Sequence, residues 1–252
     1  MLKTSDVLAP AGVFVAVALV ASGVLGAAQA GTPIPGEVIQ LTQFGPALAV
    51  GAVALLWPKL ARSALAGAGG RGPVDGSGLL LLATAPLIIA LCVGGYGLLT
   101  GDVRFTGPAT LRSPFALIVV AQLIGACAEE IGWRCLLQPL LRRRFGPLTV
   151  SIVVGLLWGL WHVPVFGRPP AHAAAFLVAT VSMSVVMGLA LERVRAHRLL
   201  LAGGFHALIN LGLLLLMDEE GGAVAPMALF GVSCLLAALL WAWQAPARIH
   251  LR

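Results

Sequence analysis

The chain has 252 residues, of which 59% are hydrophobic and only 10% are charged, and its mean hydropathy is +0.98. A soluble domain has about 25% charged residues, so the composition excludes an ordinary soluble domain and indicates a polytopic membrane protein. The net charge of +6 does not indicate nucleic-acid binding, because the arginines are spread over several connecting segments instead of clustering with aromatic residues. We therefore expect a single integral-membrane domain over residues 1–252, with the lipid bilayer as its surroundings and no nucleic-acid partner.

Eight stretches are apolar over about 20 residues, the length that a helix needs to cross a bilayer. The connections between them are short, and the Gly- and Pro-rich residues 66–78 are typical of a flexible loop. No internal repeat is visible, which argues against an inverted-repeat transporter. The sequence predicts an all-α fold of eight transmembrane helices around a catalytic cavity, at residues 8–28, 38–57, 79–99, 115–139, 148–166, 171–191, 199–217 and 224–243.

The distribution of basic residues predicts the orientation of these helices. If the N-terminus is cytoplasmic, 12 of the 16 Lys and Arg residues fall in cytoplasmic segments: Lys3, Lys59, Arg62, Arg71, Arg142, Arg143, Arg144, Arg193, Arg195, Arg198, Arg248 and Arg252. The opposite side receives only Arg104, Arg112 and Arg168, together with the acidic residues 218–220. Because basic residues concentrate on the cytoplasmic side, we expect both termini in the cytoplasm.

The beginning of the chain has a second interpretation. Lys3, the apolar run that follows it and Ala28-Gln29-Ala30 resemble a signal peptide with its cleavage site. The apolar run is long for a signal peptide, so a first transmembrane helix is the favoured interpretation. Cleavage would leave seven spans and would not alter the polar residues described next.

Two adjacent glutamates, Glu129 and Glu130, fall in the middle of the fourth predicted span. A charge at the centre of a bilayer costs about 2.5–3.5 kcal/mol on insertion scales, so such residues face a protein interior or water and are commonly functional. Arg134 follows Glu130 by four residues, the spacing at which side chains share a helix face and can pair. Glu129 lies about 100° further round the helix and needs a partner from another segment. The alternative is a buried packing network, although apolar residues usually replace a buried ion pair without loss of stability.

Polar residues at the same spacing occur in two further spans. The fifth contains Trp158-Gly-Leu-Trp-His162, and Pro164 is expected to kink or end that helix and to widen a cavity there. The seventh contains His206-Ala-Leu-Ile-Asn210, with both polar side chains on one face. Each has a structural alternative: His162 as a satisfied core residue, Trp158 as packing or an interfacial anchor, and the His206–Asn210 pair as hydrogen bonds between helices.

Together, a carboxylate, two histidines and an asparagine on three helices can converge on one cavity. A glutamate with a histidine can deprotonate water as a general base, and a second histidine with an asparagine can donate hydrogen bonds to the oxyanion of an attacked carbonyl. This set predicts hydrolysis of an amide bond without a covalent nucleophile. A zinc site formed by Glu129, His162 and His206 is the alternative, because three protein ligands suffice for catalytic zinc.

The predicted spans place these residues at different depths. Measured from the cytoplasmic end at 1.5 Å per residue, His206 lies about 10 Å deep, Glu129 about 15 Å and His162 about 20 Å. A common cavity therefore requires tilted helices or helix ends that differ from the predicted ones. Other nucleophiles have little support, because Ser182 and Ser184 have no base at helical spacing and no Gly-x-Ser-x-Gly or His-Glu-x-x-His motif occurs.

The three motifs resemble those of the CPBP family, the CAAX-protease and bacteriocin-processing intramembrane endopeptidases that are often called Abi. The family pattern is Glu-Glu-x-x-x-Arg, then Phe-x-x-x-His, then His-x-x-x-Asn, each on its own transmembrane helix. Here the motifs occupy 129–134, 158–162 and 206–210 in the same order, within a motif-bearing core of about residues 115–217. Trp158 replaces the usual Phe, which keeps a large aromatic side chain and bears on the finer shape of the cavity.

The resemblance implies an intramembrane endopeptidase with eight helices around a conical cavity. A metal-free, glutamate-type mechanism is the favoured description of the family, so no cofactor is expected and zinc is the alternative. The implied roles are water activation by Glu129 with His162, an oxyanion hole formed by His206 and Asn210, and a supporting role for Glu130, Arg134 and Trp158.

The resemblance also implies the class of substrate, a membrane-embedded or membrane-anchored protein or peptide. Family members act on prenylated C-termini, on peptide leaders and on the anchored tails of surface proteins. The Ala-, Gly-, Leu- and Arg-rich composition favours a GC-rich bacterium and its plasma membrane, where CAAX prenylation is not expected. Two other classes of function use similar residues: a transporter or proton relay, and a non-catalytic immunity or scaffold protein of the membrane.

Overall fold

The computed structural model describes residues 5–70, 72–102, 106–194, 196–217 and 223–244. In these residues all regular structure is helical. Short 3-10 helices span Leu41–Phe44, Pro108–Thr110 and Val163–Gly167, and a π-helix at Trp133–Leu137 joins α5 to α6. The α-helices are α1 (Ser5–Gln29), α2 (Gly45–Leu56), α3 (Pro58–Leu65), α4 (Gly76–Thr100), α5 (Phe115–Gly132), α6 (Gln138–Arg142), α7 (Pro147–Trp161), α8 (Pro170–Leu191), α9 (Arg198–Leu216) and α10 (Val224–Trp243).

The predicted all-α, polytopic membrane fold is confirmed. Within the described ranges, six helical segments are long and apolar enough to cross a membrane: Val7–Gln29, Gly76–Thr100, Phe115–Arg142, Pro170–Leu191, Arg198–Leu216 and Val224–Trp243. Two further apolar segments, Leu41–Leu56 and Pro147–Trp161, are shorter than a full span. All eight segments coincide with the eight predicted ones, but the count of eight complete crossings stays a prediction.

The helix that contains His162 ends earlier than the apolar pattern predicts. The pattern runs to residue 166, whereas α7 ends at Trp161 and His162 is its non-helical C-cap, with φ −77° and ψ 58°. Pro164 has no backbone N–H and disfavours the helical conformation of the residue before it. The expected effect of this proline is therefore confirmed, and it places His162 at a helix end within an apolar region.

The connections between the helices gather at two faces of the bundle. At one face, Arg143 Nη2 donates to Ser63 Oγ at 3.0 Å, and the Leu199 N–H donates to the Ala68 carbonyl. We call this the basic face; its described connections are residues 57–70, 72–75, 142–147, 192–194 and 196–198. The opposite face holds residues 30–40, 106–114 and 162–169, where Gln122 Nε2 donates to the Glu37 carbonyl at 3.4 Å.

The predicted loop at residues 66–78 lies at the basic face and gives way to α4, whose N-cap Asp75 accepts a hydrogen bond from the Gly78 N–H at 2.9 Å. Just before the loop is α3, an eight-residue helix that the apolar pattern does not predict. It is missed because it is short and its polar residues interrupt the apolar run. Several basic residues in the orientation argument lie outside the described residues, namely Lys3, Arg71, Arg104, Arg195, Arg248 and Arg252, as do the acidic residues 218–220.

The half of the bundle next to the basic face is closely packed. Trp133, Leu136 and Leu140 of the π-helix and α6 are fully buried. Helix α1 packs against this region, with the Phe14 ring edge-on to Trp133 at a centroid distance of 5.1 Å. Glu129 and its neighbour Glu130 lie where this packed half meets a large cavity.

Candidate active site

A cavity of about 1090 Å³ occupies the half of the bundle next to the opposite face. Its lining includes Glu129, Trp158, His162, His206 and Asn210, which come from α5, α7 and α9. The prediction that the three motifs converge on one cavity is therefore confirmed. The observed helix ends remove part of the predicted difference in depth, because the fourth span continues to residue 142 instead of 139. Glu129 then lies about 20 Å from that end and His162 about 22 Å from the start of α7, so the two are level.

Glu129 has a hydrogen-bond partner on each carboxylate oxygen. Gln43 Nε2 donates to Oε1 at 3.1 Å, and the Trp158 indole N–H donates to Oε2 at 2.9 Å. Both donors are neutral, and the Glu129 side chain is almost fully buried while still lining the cavity. Each oxygen can accept a further hydrogen bond, so the carboxylate is held in place and can still bind a water molecule.

Glu130 has a partner on each carboxylate oxygen and does not line the cavity. Arg134 Nε donates to its Oε2 at 3.0 Å, as the i, i+4 spacing predicts, and His206 Nδ1 lies 2.9 Å from its Oε1. Arg134 Nη1 also donates to Ser184 Oγ at 2.7 Å, and Ser184 Oγ in turn donates to the Ser151 carbonyl. Glu130 and Arg134 are both fully buried. This network joins α5, the π-helix, α7, α8 and α9 at the packed side of the site.

Trp158 connects several of these residues. Besides donating to Glu129, it offers its carbonyl oxygen to His162 Nδ1 at 2.8 Å. Its ring lies 5.1 Å from the Arg134 guanidinium carbon and 5.1 Å from the His206 ring centroid. The interpretation of Trp158 as an interfacial anchor is therefore wrong, since the side chain is buried at the centre of the site. A phenylalanine could fill this space but could not donate to Glu129.

His162 is fixed by one hydrogen bond and three aromatic neighbours. A carbonyl oxygen only accepts, so Nδ1 carries the proton in the hydrogen bond to Trp158 O, and in the neutral ring Nε2 is an acceptor. The ring centroid lies 4.8 Å from Trp161 and 5.0 Å from Phe176, both in edge-on contacts. Within the described residues, no direct hydrogen bond joins His162 to Glu129. The two side chains line the same cavity and are coupled through Trp158.

Two glutamine residues of the site are missing from the sequence-based set. Gln43, in the 3-10 helix before α2, donates to Glu129, and Gln122 Oε1 accepts from Asn210 Nδ2 at 3.1 Å. Gln122 could have been found, because it precedes Glu129 by seven residues and so lies on the same face of the helix. Gln43 gives a weaker signal, since the second predicted span also contains other polar residues and the pattern does not select one of them.

A glycine on α5 makes room for Gln43. A Cβ at Gly125 would lie 2.2 Å from Gln43 Oε1, so the amide occupies the space that any larger side chain at this position would fill. The same Oε1 accepts the Gln40 N–H at 3.3 Å, which fixes the orientation of the amide with Nε2 toward Glu129. The position of the Glu129 carboxylate thus depends on the 3-10 helix that contains Gln43, on Gly125 of α5 and on Trp158 of α7.

The zinc alternative finds no prepared ligand set in the described part of the chain, where no three His, Cys, Asp or Glu groups are arranged to share a metal ion. His206 Nδ1 is directed to Glu130, and His162 Nδ1 to a backbone carbonyl. Both oxygens of Glu129 are engaged by neutral donors.

Comparison with known proteins shows that the motif-bearing segment is similar to a protease family. The family model described as Rce1-like, type II CAAX prenyl endopeptidase Rce1-like, matches residues 111–212. This range contains the residues of all three motifs, so the motif-bearing segment is similar to the Rce1-like family. The resemblance that the motifs indicate is confirmed over this segment.

Curated relatives agree with this assignment. The chain is 29% identical over 166 residues to lysostaphin resistance protein A of Staphylococcus aureus, with the same values for the proteins of strains bovine RF122 / ET3-1, Newman and USA300. The aligned region covers 64% of this chain and 38% of the relatives. The chain therefore matches well under half the length of these proteins, and likeness to them extends to the shared segment only.

Proposed function

We propose that this protein is an intramembrane endopeptidase that cleaves a peptide bond of a membrane-embedded or membrane-anchored protein by direct attack of water. The observation that supports this most strongly is the surroundings of Glu129. Its carboxylate is fixed by two neutral donors and faces a cavity that it shares with two histidines and an asparagine. Positioned carboxylates and histidines of this kind serve as general bases.

In the proposed reaction, a water molecule lies between the Glu129 carboxylate and His162 Nε2. Glu129 accepts a proton from this water as the water oxygen forms a bond to the carbonyl carbon of the substrate. The carbonyl becomes a tetrahedral oxyanion. Transfer of the same proton to the amide nitrogen then allows the C–N bond to break, which releases a carboxylic acid and an amine and restores the Glu129 carboxylate.

The oxyanion receives hydrogen bonds from Asn210 and His206 in this scheme. Asn210 Nδ2 has two hydrogens, of which one is donated to Gln122, so the second is available. His206 donates through Nδ1 to Glu130, so Nε2 can donate as well only if the ring is an imidazolium. A positive His206 also makes the buried charges of Glu129, Glu130, Arg134 and His206 sum to zero. The Glu130–Arg134 pair thereby holds the oxyanion donor in place from the packed side.

We further propose that the reaction needs no metal ion and that the protein resides in a bacterial plasma membrane with both termini in the cytoplasm. The first point is supported by the described residues, among which no three His, Cys, Asp or Glu groups are arranged to share a metal ion. The basic residues of α3 and of the 142–144 and 193–198 segments support the second.

The proposal is tested by comparing peptide termini in cells that produce the wild type, Glu129→Ala or Glu192→Ala, by mass spectrometry. Glu192 is a matched carboxylate at the basic face, where it pairs with Arg142 at 2.7 Å. We expect cleavage products that require Glu129, remain with Glu192→Ala and persist when a zinc chelator is added. Products that form equally in Glu129→Ala would contradict the proposed base, and ion flux in sealed vesicles without Glu129-dependent cleavage would favour a transporter. Loss of the products on chelation alone would contradict the metal-free mechanism.

A further inference from the structure

The cavity is confined to one half of the bundle. Its walls come from the parts of α1, α5, α7, α8, α9 and α10 that lie toward the opposite face, and the lining reaches to Glu129, Met183 and His206 near the middle of the bundle. The connections at residues 36–43, 106–112 and 163–165 complete the lining. None of the lining residues belongs to the connections of the basic face.

The exposed part of the lining shows where the cavity opens. Gly36, Arg112, Val163 and Pro164 are exposed and line the cavity. All four belong to connections of the opposite face. Toward the basic face the cavity is closed by the network of Glu130 and Arg134 and by the buried side chains behind them. A substrate therefore reaches Glu129 from the opposite face, or through the half of the membrane next to it.

The two faces also differ in their charged residues. The described connections and helix ends at the basic face contain Lys59, Arg62, Arg142, Arg143, Arg144, Arg193 and Arg198, and their acidic residues are Asp6, Asp75 and Glu192. At the opposite face the described residues include two arginines, Arg112 and Arg168, and two acids, Glu37 and Asp102. Since basic residues concentrate on the cytoplasmic side of a membrane protein, the basic face is cytoplasmic.

From these two observations we infer that the active site takes its substrate from the extracytoplasmic side. This inference rests on the proposed endopeptidase function and specifies its substrate class, a polypeptide whose scissile bond lies in or next to the extracytoplasmic half of the membrane. Examples by chemistry are the outer end of a transmembrane segment and the membrane-proximal stretch of an exported protein.

The size and lining of the cavity fit such a substrate. A volume of about 1090 Å³ is slightly above the roughly 300–1,000 Å³ that is typical of small-molecule sites, so an extended peptide segment can enter. The lining combines apolar side chains, such as Leu19, Phe176 and Phe230, with polar side chains both at the entrance and around Glu129. A prenylated C-terminus in the cytoplasmic leaflet would meet the closed half instead, so the extracytoplasmic entrance separates this site from cleavage of cytoplasmic CAAX sequences.

Two exposed glycines provide a matched test of this inference. Gly36 lies at the cavity entrance and Gly69 in the connection between α3 and α4 at the basic face, and a Cβ at either position meets no atom within 4 Å. Gly36→Cys and Gly69→Cys are produced in intact bacterial cells and treated with a bulky, membrane-impermeant maleimide. The wild type, with its four native cysteines, measures background labelling.

We expect Gly36→Cys to be labelled in intact cells and Gly69→Cys only after permeabilisation. Labelling of Gly36→Cys should also lower Glu129-dependent cleavage at least tenfold relative to the same variant without reagent, whereas labelling of Gly69→Cys after permeabilisation should leave it within twofold. The reverse pattern, or labelling of both variants from outside, would overturn the inference. Labelling does not depend on proteolysis, so the two proposals can fail separately. A wrong orientation changes the labelling pattern. A wrong endopeptidase proposal instead means that wild type and Glu129→Ala form the same cleavage products.

Discussion

The two halves of the helix bundle hold their buried charges in opposite ways. In the half next to the basic face, Glu130 and Arg134 have fixed charged partners and are fully enclosed. In the half that contains the cavity, Glu129 has neutral hydrogen-bond donors and open space beside it. Adjacent residues on a helix point about 100° apart, so one turn of α5 supplies both halves. Two adjacent intramembrane glutamates can therefore have different roles: one stabilises the fold and the other is available for chemistry.

The largest effect on stability is expected from Glu130→Ala. It leaves the Arg134 guanidinium buried without its carboxylate partner, and removal of one member of a buried ion pair costs about 3–5 kcal/mol. We expect a large drop in the thermal midpoint in detergent, measured by tryptophan fluorescence, and a low yield of folded protein. A midpoint within a few degrees of the wild type would mean that the packed half does not depend on this pair.

The next largest effect concerns the oxyanion donors. Removal of a single oxyanion-hole donor costs about 10²–10³ in kcat, so Asn210→Ala should lower kcat by this amount with little change in KM. His206→Ala should be equally severe and should also lower stability, because it removes a partner of Glu130. Asn210→Asp, which keeps the size of the side chain but not its donor hydrogens, is the matched variant; full activity in it would contradict the oxyanion role.

A smaller effect is expected from Ser184→Ala. This change removes the acceptor of Arg134 Nη1, whose 2.7 Å hydrogen bond lies in the packed half. The loss of a partner for a buried polar group costs about 1–3 kcal/mol, which should appear as a lower thermal midpoint with kcat within about twofold. Ser182→Ala, two residues earlier on α8, is the control. A selective fall in kcat with unchanged stability would place Ser184 in the chemistry instead.

A substitution at Trp158 tests whether its indole N–H holds Glu129 in place. Trp158→Phe keeps an aromatic ring but removes the donor to Glu129 Oε2, and hydrogen bonds to charged groups contribute about 1.5–3 kcal/mol. We expect kcat to fall roughly tenfold to a hundredfold with KM and the thermal midpoint nearly unchanged. Gln43→Met, which removes the other donor, should do the same. A change in KM alone would indicate that Trp158 shapes the substrate cavity and does not position Glu129.

Much of this arrangement can be predicted from the sequence, because apolar length and helical spacing are local properties. The eight apolar segments, the Glu130–Arg134 pair and the helix end before Pro164 follow directly from them. The partners of Glu129 cannot be obtained this way, since Gln43 precedes Glu129 by 86 residues and reaches it only through the packing of α2 against α5. The indole N–H of Trp158 is likewise visible as a donor in the sequence, but its direction depends on the tertiary fold.

The partners of His206 and Asn210 also cannot be predicted from the spacing of residues along the chain. His206 is placed with Asn210 by the i, i+4 pattern, yet in the structure its Nδ1 binds Glu130 while Asn210 binds Gln122. One histidine therefore belongs to both halves of the bundle, with one nitrogen in the packed network and its ring at the cavity. These contacts of His206 depend on how far α5 and α9 are shifted relative to each other along the bundle axis. That shift depends on the helix ends, which can be predicted from sequence only to within a few residues.

The division between the two glutamates is tested most directly by measuring cleavage and thermal stability together for Glu129→Gln and Glu130→Gln. A glutamine keeps the size of the side chain, so the comparison isolates the charge. We expect Glu129→Gln to lose cleavage by at least the roughly 10²–10⁴ that general-base catalysis contributes, while its thermal midpoint stays close to that of the wild type. Glu130→Gln should instead lower the midpoint markedly. Cleavage at the wild-type rate by folded Glu129→Gln would contradict the account.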